Sequence, residues 1–168
     1  TKGTLTNGPT FSSDNGGCLV FDGTDDYVLL DKDITTGPAS TITVWVRDID
    51  KRNVIAGGGP YHDDGGTLLV ITASGRSRRY LQMYPDNDPA GDDDYFLFQN
   101  DSIVTIASEW THLSISRDAL VAYVYVNGVG SLMAAYGGAS MATKGSRTRS
   151  IGAYDAGAYN MDGRLACL

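Results

Sequence analysis

The stretch Gly16 to Leu30, GGCLVFDGTDDYVLL, constrains this chain more than any other. Two apolar, β-forming runs, Cys18-Leu19-Val20-Phe21 and Tyr27-Val28-Leu29-Leu30, flank an acidic turn, Asp22-Gly23-Thr24-Asp25-Asp26. Gly and Asp tolerate the positive φ that a tight reversal needs, so the stretch predicts a β-hairpin. The same pattern recurs downstream. Thr41 to Arg47 alternates β-branched and aromatic residues with polar ones and predicts a strand. Trp110 to Ser116 puts Leu113 and Ile115 on one face and His112, Ser114 and Ser116 on the other. Leu120 to Val126 runs into Asn127-Gly128, a pair suited to the type I′ hairpin turn, and Val129 to Met133 returns.

The remaining segments are shorter. Thr1 to Asn15 reads as an extended lead-in with one edge strand, anchored by Leu5 and Phe11. Lys32 to Ser40 and Asp48 to Arg52 read as loops, and Asn53 to Ala56, Thr67 to Ala73, Tyr80 to Tyr84, Tyr95 to Gln99 and Ile103 to Ile106 as strands. Ser131 to Tyr136 is the best helix candidate, ending at Gly137-Gly138, and Ser150 to Ala153 and Gly163 to Leu168 close the chain as strands. Short strands at spacings near 8–12 residues, without a convincing helix, point to an antiparallel all-β sandwich or barrel. At 168 residues one domain is expected over 1–168. The chain starts without Met and stops at Leu165-Ala166-Cys167-Leu168, which reads as mid-strand, so a piece of a longer or processed polypeptide is expected. No leader pattern is read in it.

Composition narrows the partners. A net charge of −7 and a pI near 4.6 argue against nucleic acid and anionic membranes. No apolar run nears the roughly 20 residues of a membrane span. Nineteen of the twenty acids are Asp, which favours turns, and Glu109 is the lone Glu. A retaining glycosidase needs two carboxylates about 5–5.5 Å apart. Here the acidic clusters sit in Gly/Pro-rich loops with no strand to hold them, so the expectation is a protein that is not an enzyme. No Gly-x-Ser-x-Gly elbow, phosphate-binding loop or dinucleotide motif is present. Asp86-Asn87-Asp88 opens like an EF-hand loop, but Leu97 stands where its bidentate Glu belongs.

Tyrosine is common, at ten, and several tyrosines lie in or beside loops rich in Asp and Asn. Aromatic rings stacking on sugar faces, with carboxylates and carboxamides taking hydroxyls, is lectin chemistry; capping the ends of the core is the other reading. The candidate ligand-binding set is Tyr61, His62, Asp63, Asp64, Tyr84, Asp86, Asn87, Asp88, Tyr154, Asp155 and Tyr159. Arg76, Arg78 and Arg79 form a basic turn that either answers Asp92 to Asp94 or serves as a handle for a neighbouring subunit. His112 reads as structural or solvated. Cys18 and Cys167 read as two buried free thiols, with a bridge open if the first and last strands are neighbours.

With the strands placed, the chain resembles laminin-G-like domains of the concanavalin A-like lectin/glucanase superfamily. The resemblance rests on Cys18 to Val28, on Thr41 to Arg47 with its Trp45, on Trp110 to Asp118, on Tyr123 to Gly128, and on Ile151-Gly152 with Met161 to Leu165, in family order. The segment Gly3 to Pro9 is similar to the lead-in of such domains from bacteria and phages. A strand ahead of Thr1 and the rest of the last strand are missing, and Pro85 to Asp94 is longer and more acidic than in the family. The resemblance implies a two-sheet antiparallel jelly roll with its termini close together. It implies a recognition module, binding a glycan or cell-surface receptor at the loop rim, of an extracellular or virion-surface protein. The alternative is a virion structural module packing against copies of itself or other virion proteins. The family often carries a rim Ca²⁺, which by position implies Asp25, Asp26 and Asp162 as ligands. Pairing of the opening stretch with the last strand would bring Asp25 and Asp26 toward Asp162, and Cys18 toward Cys167.

Overall fold

The computed structural model describes residues 1–49, 53–57, 70–72, 80–83, 95–99, 108–136, 146–153 and 160–166. Among them the chain forms β1 (Gly3–Thr6), β2 (Thr10–Ser12), β3 (Cys18–Asp22), β4 (Tyr27–Thr36), β5 (Ala39–Arg47), β6 (Asn53–Val54), β7 (Ala56–Gly57) and β8 (Val70–Thr72). It continues through β9 (Tyr80–Met83), β10 (Tyr95–Gln99), β11 (Thr111–Asp118), β12 (Val121–Val126), β13 (Val129–Leu132), β14 (Ala134–Tyr136), β15 (Ser146–Ile151) and β16 (Asp162–Ala166). One 3-10 turn, Asp14–Gly16, interrupts them. No helix among the described residues is long and apolar enough to cross a membrane.

All pairings among the described strands are antiparallel. One sheet has seven strands in the order β13-β12-β11-β5-β16-β3-β2. Facing it are a four-stranded sheet, β1-β4-β15-β7, and a five-stranded sheet, β14-β10-β9-β8-β6. The chain passes between these two at Ile55, a buried residue separating β6 from β7. The jelly-roll sandwich is therefore present, with one layer divided where the sequence reading expected a single strand over Asn53 to Ala56. Alternation explains the core. β11 buries Thr111, Leu113, Ile115 and Arg117 and turns the residues between them outward. Val44, Val46, Leu113, Ile115 and Val124 of the seven-stranded sheet meet Val28, Leu81, Met83, Phe96 and Phe98 of the opposite layer in one cluster. Burying a side chain of this size contributes about 1.5–3 kcal/mol. Arg117 is the charged exception: it lies 5.4 Å from the Phe96 ring centroid and its Nε donates to the Ala119 carbonyl. Burial lowers its pKa.

The expected hairpin at Gly16 to Leu30 is corrected. β3 pairs with β2 and β16, whereas β4 pairs with β1 and β15. Residues 23–26 carry the chain from one layer to the other, forming an arch rather than a hairpin. The flanking residues explain it: Phe21 and Val28 both point into the shared core, one from each layer. The helix candidate at Ser131 to Tyr136 is also corrected. Those residues form β13, a crossing at buried Met133, and β14 in the opposite layer. Lys32 to Ser40 is mostly strand, since β4 runs to Thr36 and β5 begins at Ala39. Leu5 and Phe11 are not core anchors; they are 52% and 73% exposed at the outer strands β1 and β2. The strand expected at Ile103 to Ile106 and the basic turn Arg76 to Arg79 lie outside the described residues.

The Asn127-Gly128 hairpin holds as read. Val126 pairs with Val129, and Asn127 and Gly128 have φ of 49° and 83°. The strand that carries Cys18 and the last described strand are neighbours: β16 pairs β3 with Asp162 opposite Asp22. Cys18 is nevertheless a buried free thiol, and Cys167 lies outside the described residues.

Candidate functional site

Two zones concentrate chemistry on or beside the seven-stranded sheet. The first is the arch. The Asp22 N–H donates to the Asp26 carboxylate (3.0 Å), and the Asp22 carboxylate accepts from the Thr24 N–H (2.8 Å). Three bonds brace the arch from outside. The Asn7 amide donates to the Asp25 carbonyl (3.1 Å), the Asn160 amide donates to the Thr24 carbonyl, and the Gly23 N–H donates to the Met161 carbonyl (2.9 Å). Gly23 has φ +76°, and a Cβ there would stand 2.8 Å from the Cβ of Asp162. The lead-in and the last strand thus both close on the turn.

Carboxylate oxygens of Asp22, Asp25 and Asp26 lie within 4.8 Å of one another. Asp22 and Asp25 are exposed, while Asp26 is 4% exposed. Burial pushes the Asp26 carboxyl above its usual range; the hydrogen bond from Asp22 opposes this, and the charges of Asp22 and Asp25 add to the rise. Hard cations prefer such oxygen donors, and a cation's charge would relieve the repulsion within the trio. Of the expected ligands, Asp25 and Asp26 come together with Asp22, and Asp162 packs on Gly23 of the same arch. Asp22 also does the turn work read from its sequence position, through Thr24. Tyr61, His62, Asp63, Asp64, Tyr84, Asp86, Asn87, Asp88, Tyr154, Asp155 and Tyr159 all lie outside the described residues.

The second zone is the outer face of the seven-stranded sheet, which the sequence reading did not assemble. Register sets it out in rows across β5, β11 and β12: Thr43, Ser114 and Tyr125 in one, Thr41, Ser116 and Tyr123 in the next. Trp45 stands opposite His112, their rings 5.0 Å apart and tilted by 59°. The Thr43 hydroxyl meets His112 Nε2 at 2.8 Å, and the His112 N–H donates to the Asn127 side chain (2.9 Å). The Trp45 indole N–H is buried and finds no acceptor among the described residues. Tyr125 leans over Gly130 of β13, whose missing side chain makes room for the ring. Toward the arch, Asp14 and Asp48 pair with Arg47 and Arg164 across β5 and β16. The four side chains are roughly one-third exposed, so the pairs add little net stability; their effect is to neutralise one another. Alternation alone marks Trp45 and His112 as outward. Their meeting depends on the β5–β11 register, which no local signal carries.

The family Laminin_G_3, described as the concanavalin A-like lectin/glucanases superfamily, matches residues 22–168. No curated protein matches the chain. Solved structures share its fold, among them the following two. Domain 4 of AbnA, an extracellular GH43 arabinanase from Geobacillus stearothermophilus solved with arabinotriose, aligns with a TM-score of 0.66 at 16% identity, over 97% of this chain and 78% of that one. The enzymatically active domain of tailspike protein 2 of bacteriophage CBA120 aligns with a TM-score of 0.62 at 16% identity, over 99% of this chain. The chain spans 28% of that tailspike chain.

Proposed function

Because the chain belongs to the Laminin_G_3 family of the concanavalin A-like superfamily, we propose that it is a carbohydrate-recognition module of an extracellular or virion-surface protein, acting by binding rather than catalysis. On this reading the ligand sits at the rim of the sandwich, beside the arch, with the loop tyrosines supplying stacking surfaces. Asp22, Asp25 and Asp26 hold Ca²⁺ there, with Asp162 next to them. The observation that carries the reading is the convergence of three carboxylates within 4.8 Å on a braced arch. The cation supplies positive charge that fixes the arch and offers coordination to sugar hydroxyls. The arabinotriose-bound neighbour supports the ligand class through a shared fold.

A glycan array run with Ca²⁺ and with chelator tests this. Capture of at least one glycan, lost in chelator, is the expected result. Ca²⁺ at 100 times its Kd should add about 2.7 kcal/mol of stability. A blank array with an unchanged Tm would leave the second reading, a virion packing module. That reading draws on the exposed apolar side chains of Phe11, Val129 and Leu132.

A further inference from the structure

Three of the chain's seven asparagines stand directly before glycine: Asn7, Asn15 and Asn127. Such a pair is reactive, because a glycine nitrogen with no side chain beside it can attack the asparagine side-chain carbonyl carbon. All three pairs are exposed, and all three asparagines have positive φ, at 64°, 51° and 49°. Neither residue type nor exposure separates them. What each side chain holds does.

Asn127 is fixed from several sides. Its N–H donates to the His112 carbonyl (2.9 Å) and its side-chain oxygen accepts from the His112 N–H (2.9 Å). The Val126–Val129 pair closes directly beneath it. Asn7 donates its side-chain amide to the Asp25 carbonyl (3.1 Å), so its Nδ2 is tied to the braced arch. Asn15 differs from both. It sits in the middle of the Asp14–Gly16 turn, at φ 51° and ψ 36°, and its side chain has no hydrogen-bond partner among the described residues. A Cβ at Gly16 would meet nothing within 4 Å. The turn is closed by the Gly17 N–H on the Asp14 carbonyl (2.9 Å) and the Asp14 N–H on the Ser12 hydroxyl (3.2 Å). It follows β2, the outermost strand of its sheet.

We propose that Asn15 is a self-modification site: in the folded protein it deamidates ahead of Asn7 and Asn127, yielding isoaspartate and aspartate. The Gly16 nitrogen bonds to Cγ of Asn15 as the Cγ–Nδ2 bond breaks. The side-chain nitrogen leaves as ammonia and takes the Gly16 N–H proton with it. Water then opens the cyclic imide. Cleavage at Cγ gives aspartate; cleavage at the Asn15 backbone carbonyl gives isoaspartate, with the main chain rerouted through the side chain. Ring closure needs Cγ to meet the Gly16 nitrogen, which the turn conformation does not allow. Each site must therefore open first, and its rate follows the cost of that local opening. The Asn15 turn can open without parting a strand ladder. The product alters its surroundings, because Asn15 adjoins Asp14, whose carboxylate pairs with Arg164 and Arg47. A new negative charge enters beside that cluster, and the isoaspartyl link lengthens the backbone that leads into Cys18 of β3.

The test incubates the whole chain at mildly alkaline pH and follows acid formation at each Asn-Gly pair by peptide fragmentation in a mass spectrometer. Protein unfolded in urea is followed in parallel. Unfolded, the three sites share the same local chemistry and should react at comparable rates. Folded, Asn15 should lead Asn7 and Asn127 by at least about tenfold, since the hydrogen bonds that must break first slow the other two. The aged protein should accept methyl groups from S-adenosylmethionine through an isoaspartyl methyltransferase, and Asn15→Gln should remove most of that labelling. Equal rates at the three sites of the folded protein, or a lead by Asn7 or Asn127, would overturn the proposal. So would an Asn15 that stays intact in the folded protein while it reacts in the unfolded one.

Discussion

The chain has two reversals written in the same residue types, and they do opposite things. At Asn127-Gly128 two residues with positive φ join β12 to β13, which pair directly. At Gly23 to Asp26 the reversal is longer, and its two strands enter different layers. Gly and Asx residues therefore report that the backbone turns, not which strand waits on the far side. The hairpin closes with its own ladder. The arch has no ladder of its own and is held by Asn7, Asn160 and Met161, and by its buried Asp26.

If that difference is real, equivalent substitutions will hurt the arch more. The largest gap is expected between Gly23→Ala and Gly128→Ala. Both positions have positive φ, but a Cβ at Gly128 meets nothing, while one at Gly23 drives into Asp162 of β16. Gly128→Ala should cost about 1–2 kcal/mol and Gly23→Ala about 3 kcal/mol or more in denaturant melts. Equal costs would mean that β16 yields easily and the arch is not braced. Next comes Asp26→Ala, which removes a buried carboxyl and leaves the part-buried Asp22 N–H without its acceptor, and should cost about 2 kcal/mol. Its counterpart, Asn127→Ala, removes the acceptor of the His112 N–H at an exposed site and should cost about 1 kcal/mol.

The smallest effect is a pH dependence confined to the arch. The Asp26 carboxyl is raised above 3.8 in the folded protein, so the folded state holds its proton more tightly than the unfolded one. Stability from this group is full below 3.8 and is lost as pH rises through the raised value. In chelator, Asp26→Asn should therefore gain on the parent protein as pH climbs through that window, read by Tm against pH. Adding Ca²⁺ at neutral pH should reverse the ranking, because only the parent keeps all three carboxylates. A flat difference across the range would show that burial, not ionisation, sets the behaviour of Asp26.

Much of the fold is legible in residues such as Thr41 to Arg47 and Thr111 to Ser116, where period-two alternation names both the strand and its buried face. The Asn-Gly pair supplied its hairpin because two-residue turns leave no freedom in pairing. Gly16 to Leu30 misled for the opposite reason: alternation carries the face of each strand but not the identity of its neighbour. Ile55 and Met133 look like ordinary strand residues, and only the folded core reveals that the chain changes layers there. The arch site was partly readable, since Asp25 and Asp26 share a turn. The Trp45–His112 contact was not, because residues so distant in sequence meet only through the sheet's register.

One further consequence follows from the position of β16. It lies between β5 and β3, near the middle of the seven-stranded sheet, although it is the last described strand in the chain. A ribosome delivers β3 and β5 long before their common partner. Until β16 emerges, each presents a bare edge with β-rich sequence, the condition that favours strand exchange and aggregation between nascent chains. Completion of this sheet waits for β16, and the non-local β3–β16 pairing makes it a slow step.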